Sequence, residues 1–406
     1  MPILHSLWSL PAYRRFWLTR VATIMALQML LVGLSWQLYS LHHRALDLAL
    51  LGLISYLPLV LLVLVSGHAA DRFDRRRLAM LCQAMACVIA LLLAWWAWQG
   101  TLGRAHILIL VFFLGCAKAF EAPALASLLP GLVPAPQLAQ ALSGSSAAMQ
   151  VAVIIGPVLG GLLYQPGPPV LYVGASLLYL LALLNVKQIH LPDKITVAQT
   201  VPDAPQQLLA GIHFIRQHRR ILGTLSLDLF AVLLGGATAL LPMYAQDILH
   251  TGTAGMGLLR AAPAFGALGT AIFLHQQHSP LTKNNTMFMA VAGFGVFTII
   301  FGLSAHLWLS CLALAGAGAS DMISVVVRST LVQTETPDVV RGRVNAINFL
   351  FIGTSNQLGE FESGLTAAWL GPVGAVVLGG IGSLLIALLW WHWFPELRTP
   401  PENHAR

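Results

Sequence analysis

The sequence predicts an all-α integral membrane protein whose twelve transmembrane helices form two six-helix bundles. Three observations support this prediction. Apolar residues make up 57% of the 406-residue chain and charged residues only 9%. Apolar runs of membrane-spanning length recur along the chain, and the second half repeats spacings of the first. A soluble globule of this size needs far more polar surface, so most of the solvent around this chain must be lipid.

The first half contains six apolar windows of about 20 residues, the length that a helix needs to cross the hydrocarbon core. They cover approximately Phe16 to Leu41, Leu46 to Ser66, Leu78 to Trp98, His106 to Leu128, Leu138 to Leu163 and Val170 to Asn185. The first window lacks a small-residue cleavage site and is longer than a signal-peptide core, so we expect it to remain as the first membrane helix.

Six further windows follow in the second half. They cover approximately Ile221 to Ala245, Ala254 to Leu274, Met287 to Ser304, Leu307 to Val332, Val344 to Leu370 and Val373 to Phe394. A polar stretch separates the halves and ends in a run of His and Arg residues that could form an interfacial amphipathic helix. We therefore expect an N-terminal bundle at 1–187, a cytoplasmic linker at 188–220 and a C-terminal bundle at 221–406.

The distribution of positive charge predicts the orientation of the chain. The odd-numbered connections between helices hold only Arg44 and Arg104. The other connections and the termini hold Arg14, Arg15, Arg72, Arg75, Arg76, Arg77, Lys187, Lys194, Arg216, Arg219, Arg220, Lys283, Arg341, Arg343, Arg398 and Arg406. Because cytoplasmic loops carry an excess of Lys and Arg, both termini should be cytoplasmic. These scattered cations account for the net charge of +7 without a nucleic-acid partner.

Neither a metal site nor a catalytic centre is indicated by the sequence. The four cysteines all lie in apolar helices and show no paired spacing, and no histidines form a convincing ligand set within the membrane. The sequence contains neither a nucleotide-binding loop nor a nucleophile with a partnered base. We therefore expect no enzymatic activity and no cofactor, with an ion gradient as the energy source.

The second half repeats the first. An offset of 205 residues aligns Tyr39 with Tyr244, Gly52 with Gly257 and Pro58 with Pro263. Further along, an offset of 203 aligns Gly156–Gly161 with Gly359–Gly364. One such match could arise by chance, but this register indicates an ancient duplication.

Two motifs resemble those of the major facilitator transporters. The connection after the second helix carries the spacing of the family's signature loop, in Gly67, Asp71, Arg72, Arg75 and Arg76. The fifth helix carries a motif associated with the family's exporters, in Gly156, Pro157, Gly160 and Gly161. One departure is Asp74, where the signature loop usually has glycine. Two others are Ser143 and Ala152, where the full exporter motif of the fifth helix would have glycines. The resemblance implies the major facilitator fold, a small-molecule substrate bound between the halves, and a monomer in the lipid bilayer.

A narrower resemblance indicates the direction of transport. Ala119–Ala124, Leu129-Pro130, Gln333–Pro337 and Arg341–Val344 are similar to the enterobactin-exporter branch of the family, which also includes macrolide-efflux relatives. This implies export of a siderophore from the bacterial cytoplasm across the inner membrane, in exchange for protons. Efflux of hydrophobic drugs or movement of a lysolipid is the alternative, and an uptake symporter or a non-transporting receptor is less favoured.

The resemblance implies that the signature loop is a conformational latch. Gly67 would let two helices approach closely, Asp71 would face a helix N-terminus, and the arginines would form ion pairs that break as the halves move. The alternative is that the arginines only fix the topology, and we prefer that interpretation for Arg77.

Acidic residues inside membrane helices are costly, by about 2.5–3.5 kcal/mol on insertion scales, and usually mark a transport pathway or proton site. The five proton-coupling candidates are Glu360, Glu362, Glu121, Asp321 and Asp228. The leading hypothesis is Glu360 or Glu362, because the repeat places Glu360 opposite Pro157. The alternative for either of these two is a structural hydrogen bond to a neighbouring helix or to Arg328. Glu121 could pair with Lys118 on its own helix, and Asp321 with Arg328.

Other polar side chains are candidates for a substrate cavity. Gln28, Trp36 and Gln37 lie on the first helix, where an otherwise apolar segment does not need them. Arg260 and Arg328 could attract an anionic cargo. A role in packing between helices is about equally plausible for the residues of the first helix.

Overall fold

The protein is all-helical wherever a computed structural model describes it, in residues 7–189, 204–276 and 285–398. Within these ranges, eleven stretches are long and apolar enough to cross a membrane. The last of them contains two helices, which meet at Gly371. The described residues thus form twelve membrane helices, as the apolar windows predict.

The six helices of the first half follow the six predicted windows. They are α1 Pro11–His42, α2 Ala45–Arg72, α3 Arg75–Trp98, α4 Arg104–Leu128, α5 Leu138–Tyr164 and α6 Pro168–Lys187. Local chemistry sets several of these ends. Prolines at Pro11 and Pro168 occupy first turns, where a missing N–H costs nothing. His43 ends α1 in the left-handed conformation, with φ of 50°.

The second half begins with a connector helix, Ala204–Gln217, in the segment where an amphipathic helix is expected; residues 190–203 of that linker lie outside the described residues. The membrane helices are α7 Arg219–Leu234, α8 Gly252–Gln276, α9 Thr286–Leu303 and α10 Leu307–Glu335, followed by the stretch Asp338–Trp393. Short helical turns continue the span of α7 to Ile248. Gly371, with φ of 74°, precedes Pro372 and divides the last stretch into α11 (338–370) and α12 (372–393).

The chain divides into two compact units. One holds α1 to α6 together with Ala245–Ala261, which includes the first part of α8. The other holds the connector helix, α7, the rest of α8 and α9 to α12. A short segment of the second sequence repeat therefore packs within the unit formed by the first.

The first unit buries an apolar core formed by α1, α3, α4 and α6, in which Leu30, Leu93 and Tyr172 are fully buried. Its outward faces are also apolar: Leu81 is 68% exposed and Trp98 is 82% exposed. Large apolar side chains exposed in this way suit a lipid environment. In that solvent, close contact between helices at small residues stabilises the bundle.

The repeat extends to the packing of individual glycines. In the first unit, a Cβ at Gly115 of α4 would lie 2.5 Å from the carbonyl oxygen of Ser55 and 3.0 Å from Pro58 of α2. In the second unit, a Cβ at Gly318 of α10 would overlap the carbonyl of Pro263 of α8. The two sites are related by the sequence offsets, since Gly318 is 203 residues after Gly115 and Pro263 is 205 after Pro58. The duplication has therefore kept a glycine where two helices cross.

Replacing Gly318 by alanine should destabilise the protein by about 1–3 kcal/mol, because the added methyl group meets backbone that cannot easily yield. Alanine favours an isolated helix over glycine by about 1 kcal/mol, so the expected loss runs against helix propensity. Gly269 of α8 is the matched control, since its Cβ would have no described atom within 4 Å. Thermal unfolding in detergent measures both variants; equal melting temperatures for Gly318→Ala and Gly269→Ala would contradict the prediction.

Candidate functional site

A polar cluster joins three helices inside the first unit. Gln83 of α3 is fully buried, and its amide donates to Thr23 Oγ1 of α1 at 2.6 Å and to the Glu121 carboxylate of α4. Glu121 also interacts electrostatically with Arg20 and Lys118. Gln83 is absent from the sequence-based candidates, although a single glutamine in the apolar run of α3 was a usable signal. The cluster gives Glu121 both hydrogen bonds and two compensating cations.

A buried ion pair joins α7 and α10 in the second unit. Arg328 Nη1 contacts Asp228 Oδ2, and their side chains are only 3% and 6% exposed. Ser324 Oγ donates to the other oxygen of Asp228 at 3.4 Å. The expected pairing of Arg328 with Asp321 is not present in the described structure. Seven residues along a helix place these two about 10 Å apart along its axis, whereas Asp228 faces Arg328 directly.

Asp321 lies at a small cavity beside this pair. Asp228, Asp321 and Ser324 line the cavity, and the rest of its wall is apolar, with Val291 and Phe294 of α9 among the lining residues. The cavity has room for about one water molecule. Among the described residues, no hydrogen bond or ion pair engages the Asp321 carboxylate. The structure therefore brings three of the sequence candidates, Asp228, Asp321 and Arg328, into one place.

Glu360 and Glu362 of α11 contact hydroxyl groups. Thr238 Oγ1 donates to Glu360 at 3.5 Å, and Thr366 Oγ1 donates to Glu362 at 2.7 Å. Both glutamates are half-buried. The Thr238 contact matches the structural alternative for Glu360, a hydrogen bond from a neighbouring helical segment, whereas the partner of Glu362 lies on its own helix.

The substrate-cavity candidates of α1 take part in packing. Gln37 Oε1 accepts a hydrogen bond from Tyr172 of α6 at 2.7 Å. The carbonyl of Trp36 accepts a hydrogen bond from Gln246 at 3.4 Å. Gln28 lies beside Gly156, whose Cβ would come 2.7 Å from that of Gln28. Arg260 is half-buried on α8. These positions give the α1 side chains contacts within the first unit.

The signature loop is tied to helix ends of its own unit. Arg75 donates to the carbonyl of Ser127 at 3.0 Å, at the end of α4, and Arg76 donates to the carbonyl of Lys187, which ends α6. A cation at a helix C-terminus is favourable because the last carbonyls lack helical partners. Arg72 is exposed at the end of α2. These contacts fasten the loop to its own bundle.

The contacts of Asp74 and Gly67 test the latch that the resemblance implies. Asp74, the departure from the signature, accepts from the backbone N–H of Arg76 at 2.9 Å and of Arg77 at 3.3 Å, so it caps the start of α3. The close approach expected at Gly67 is not seen, since no described atom lies within 4 Å of where its Cβ would be. The side chain of Asp71 lies outside the described part of the structure.

The fifth-helix motif packs on two sides of α5. Gly156 and Gly160 face α1, where a Cβ at Gly160 would lie 3.0 Å from Met29 Cα. Pro157 and Gly161 face the start of α8, where Gly257 approaches the carbonyl of Pro157 and Thr253 Oγ1 donates to the carbonyl of Gly161 at 2.8 Å. The motif therefore lets α5 pack closely against α1 on one side and against Ala245–Ala261 on the other.

Polar contacts attach the same segment to the end of α1. Tyr39 donates to Asp247, and His43 Nδ1 lies 4.0 Å from the same carboxylate. Beside them, the fully buried Asp47 of α2 meets Arg104 Nε at 2.8 Å. Asp47 and Asp247 are absent from the sequence-based candidates, although for Asp47 its position three residues after Arg44 was a detectable signal.

Comparison with known proteins agrees with this architecture. Residues 6–403 match the profile of a family described as transmembrane secretion effectors. The enterobactin exporter EntS of Citrobacter koseri is 27% identical over 404 residues, which cover 96% of this chain and 93% of that protein. EntS of Escherichia coli O1:K1 / APEC is 26% identical over 415 residues, covering 97% and 95%.

Solved structures share the fold at low sequence identity. A bacterial homologue of the human lysosomal transporter Spinster, in its inward-facing and occupied conformation, superposes with a TM-score of 0.76 at 12% identity, covering 97% of this chain and 99% of that one. The nucleoside transporter NupG gives a TM-score of 0.72 at 14% identity, covering 94% of this chain and 99% of that one. These likenesses confirm the predicted all-helical membrane fold.

Proposed function

We infer a function from the family of this chain, which belongs to the transmembrane secretion effectors of the major facilitator transporters. We propose that it exports a siderophore-like organic molecule across the inner membrane in exchange for protons. The chain is a multi-pass membrane transporter and not an enzyme. The similarity to enterobactin exporters over nearly the full length of both proteins carries the proposal of export.

The proposed mechanism is alternating access by a monomer in the bilayer, with both termini in the cytoplasm. Proton exchange is supported by acidic side chains within membrane helices, at Glu121, Asp228, Asp321, Glu360 and Glu362. Such groups are costly to insert into lipid, and their retention suits a protein that couples transport to a proton gradient. Energy from that gradient would make a cofactor unnecessary.

Cargo secretion by a deletion strain tests this function. Cells with and without the chain are compared for release of a catechol siderophore, a macrolide and a lysolipid, each with and without a proton uncoupler. The proposal expects the siderophore to accumulate inside the deletion strain, and its release by complemented cells to stop on uncoupling. Secretion that is unchanged for all three cargoes would overturn the exporter assignment. Loss of only macrolide or lysolipid release would reassign the cargo.

A further inference from the structure

We propose that Asp321 binds and releases the exchanged proton, in a site that it forms with Asp228, Ser324 and Arg328. This inference rests on the proposed proton-coupled function and names the residue that performs the coupling. It shifts attention from Glu360 and Glu362, which contact threonine hydroxyls, to the cavity between α7, α9 and α10.

Charge balance at the cavity is the first argument. Arg328 is buried, at 2% relative exposure, and its guanidinium contacts Asp228. One cation and two carboxylates therefore share an apolar surrounding. A carboxylate without a compensating charge is strongly disfavoured there. A proton on Asp321 removes the excess charge by forming one O–H bond, while the pair between Arg328 and Asp228 stays intact.

No cation lines the cavity among the described residues. Helix α9 contributes Ala290, Val291 and Phe294 to the cavity and has no titratable side chain between Thr286 and Leu303. Helix α7 contributes Asp228 and α10 contributes Asp321 and Ser324, while Arg328 of α10 contacts Asp228. Helix α8, which crosses α10 at Gly318, carries Arg260 and His275 as its charged or titratable groups. Among the described residues that line the cavity, only Asp228 and Asp321 are charged.

The sequence repeat shows that the excess acid is specific to the second half. At offsets of 205 and 203, Thr23 corresponds to Asp228 and Glu121 corresponds to Ser324. Both halves thus place a carboxylate against a hydroxyl between equivalent helices, with the two partners exchanged. The position equivalent to Asp321 is Lys118, so the first half has a cation where the second half has an acid.

The two halves therefore differ in charge balance although they share a geometry. Glu121 interacts with Arg20 and Lys118, and it also accepts the amide of Gln83. Two cations and this hydrogen bond thus face a single carboxylate in the first half, whereas one cation faces two carboxylates in the second. Asp321 has a cavity beside it instead, with space for the water that would carry the proton. Of the two equivalent sites, the second is the one built for proton exchange.

Transport by Asp321→Asn in proteoliposomes is the first test. Accumulation of a catechol siderophore driven by a pH gradient should fall at least tenfold, while exchange of labelled for unlabelled siderophore at equal pH should continue. Asp321→Glu should recover part of the gradient-driven accumulation. Thr330→Val, an exposed change on the same helix, is the matched control. Full gradient-driven accumulation in Asp321→Asn, or accumulation driven by sodium rather than protons, would overturn the inference.

A measurement without cargo separates this inference from the proposed function. A hydrophobic carbodiimide modifies protonated carboxyl groups in apolar surroundings, and mass spectrometry locates the modified residue in the purified chain. We expect modification at Asp321 that declines as pH rises, and none at Asp228. A wild-type chain that moves no siderophore would contradict the proposed function, and the carbodiimide result would still decide about Asp321. Absence of modification at Asp321 at every pH would overturn the inference.

Discussion

Replacing Arg328 by methionine should lower the free energy of unfolding by about 3–5 kcal/mol, the usual cost of breaking a buried pair by removing one partner. Methionine fills most of the space but leaves Asp228 as a buried charge without its cation. The measurement is thermal unfolding of the purified chain in detergent, supported by the amount of folded protein recovered from membranes.

A second replacement separates the lost charge pair from a loss of packing. Changing Asp228 to leucine in the Arg328→Met background removes the stranded charge, and much of the stability should return, because apolar residues often replace a buried pair without loss. Arg77→Met is the matched control, since Arg77 pairs with Asp74 at 3.5 Å while 84% exposed. That exposed pair should contribute less than about 1 kcal/mol. Equal destabilisation by Arg328→Met and Arg77→Met would contradict the buried-pair interpretation.

The helices could be predicted from sequence because the thickness of the bilayer imposes a length on every apolar run. Their ends could not be placed as well. The first window begins at Phe16, whereas α1 begins at Pro11. Polar residues continue a helix into the membrane interface at little cost, so the apolar window is shorter than the helix that contains it. The division of the last two helices was predicted in place, since Gly371 and Pro372 separate the window that ends at Leu370 from the one that begins at Val373.

Sequence spacing could not predict which side chains pair with each other across helices. Spacing along a helix suggested that Arg328 pairs with Asp321, because periodicity relates only residues of one element. The actual partner, Asp228, lies 100 residues earlier on α7. Glu121 similarly depends on Gln83, and Tyr39 on Asp247, both on other elements of the chain. The repeat carried more information, since it relates Gly115 to Gly318 in sequence and in packing.

The close packing of α5 makes Gly257 a tightly constrained position at the start of α8. A Cβ there would lie 2.5 Å from the carbonyl oxygen of Pro157 and 3.2 Å from Val158 Cα. Helix α5 cannot retreat, because Gly156 and Gly160 already hold its other side against α1. A larger side chain at Gly257 must therefore displace Ala245–Ala261 from α5.

Replacing Gly257 by leucine should accordingly reduce cargo export by about 5- to 150-fold, since overpacking costs about 1–3 kcal/mol in the conformation that contains this contact. Alternating access requires each conformation of the cycle, so a penalty on one of them slows the whole. Export per amount of folded protein is the measurement, with Gly269→Leu on the same helix as control.

A cysteine placed at Thr253, in a chain without its native cysteines, should react faster with a membrane-impermeant maleimide when Gly257→Leu is present. Normal export together with unchanged maleimide reactivity would show that α5 yields to the larger side chain, contrary to the packing of Gly156 and Gly160 against α1.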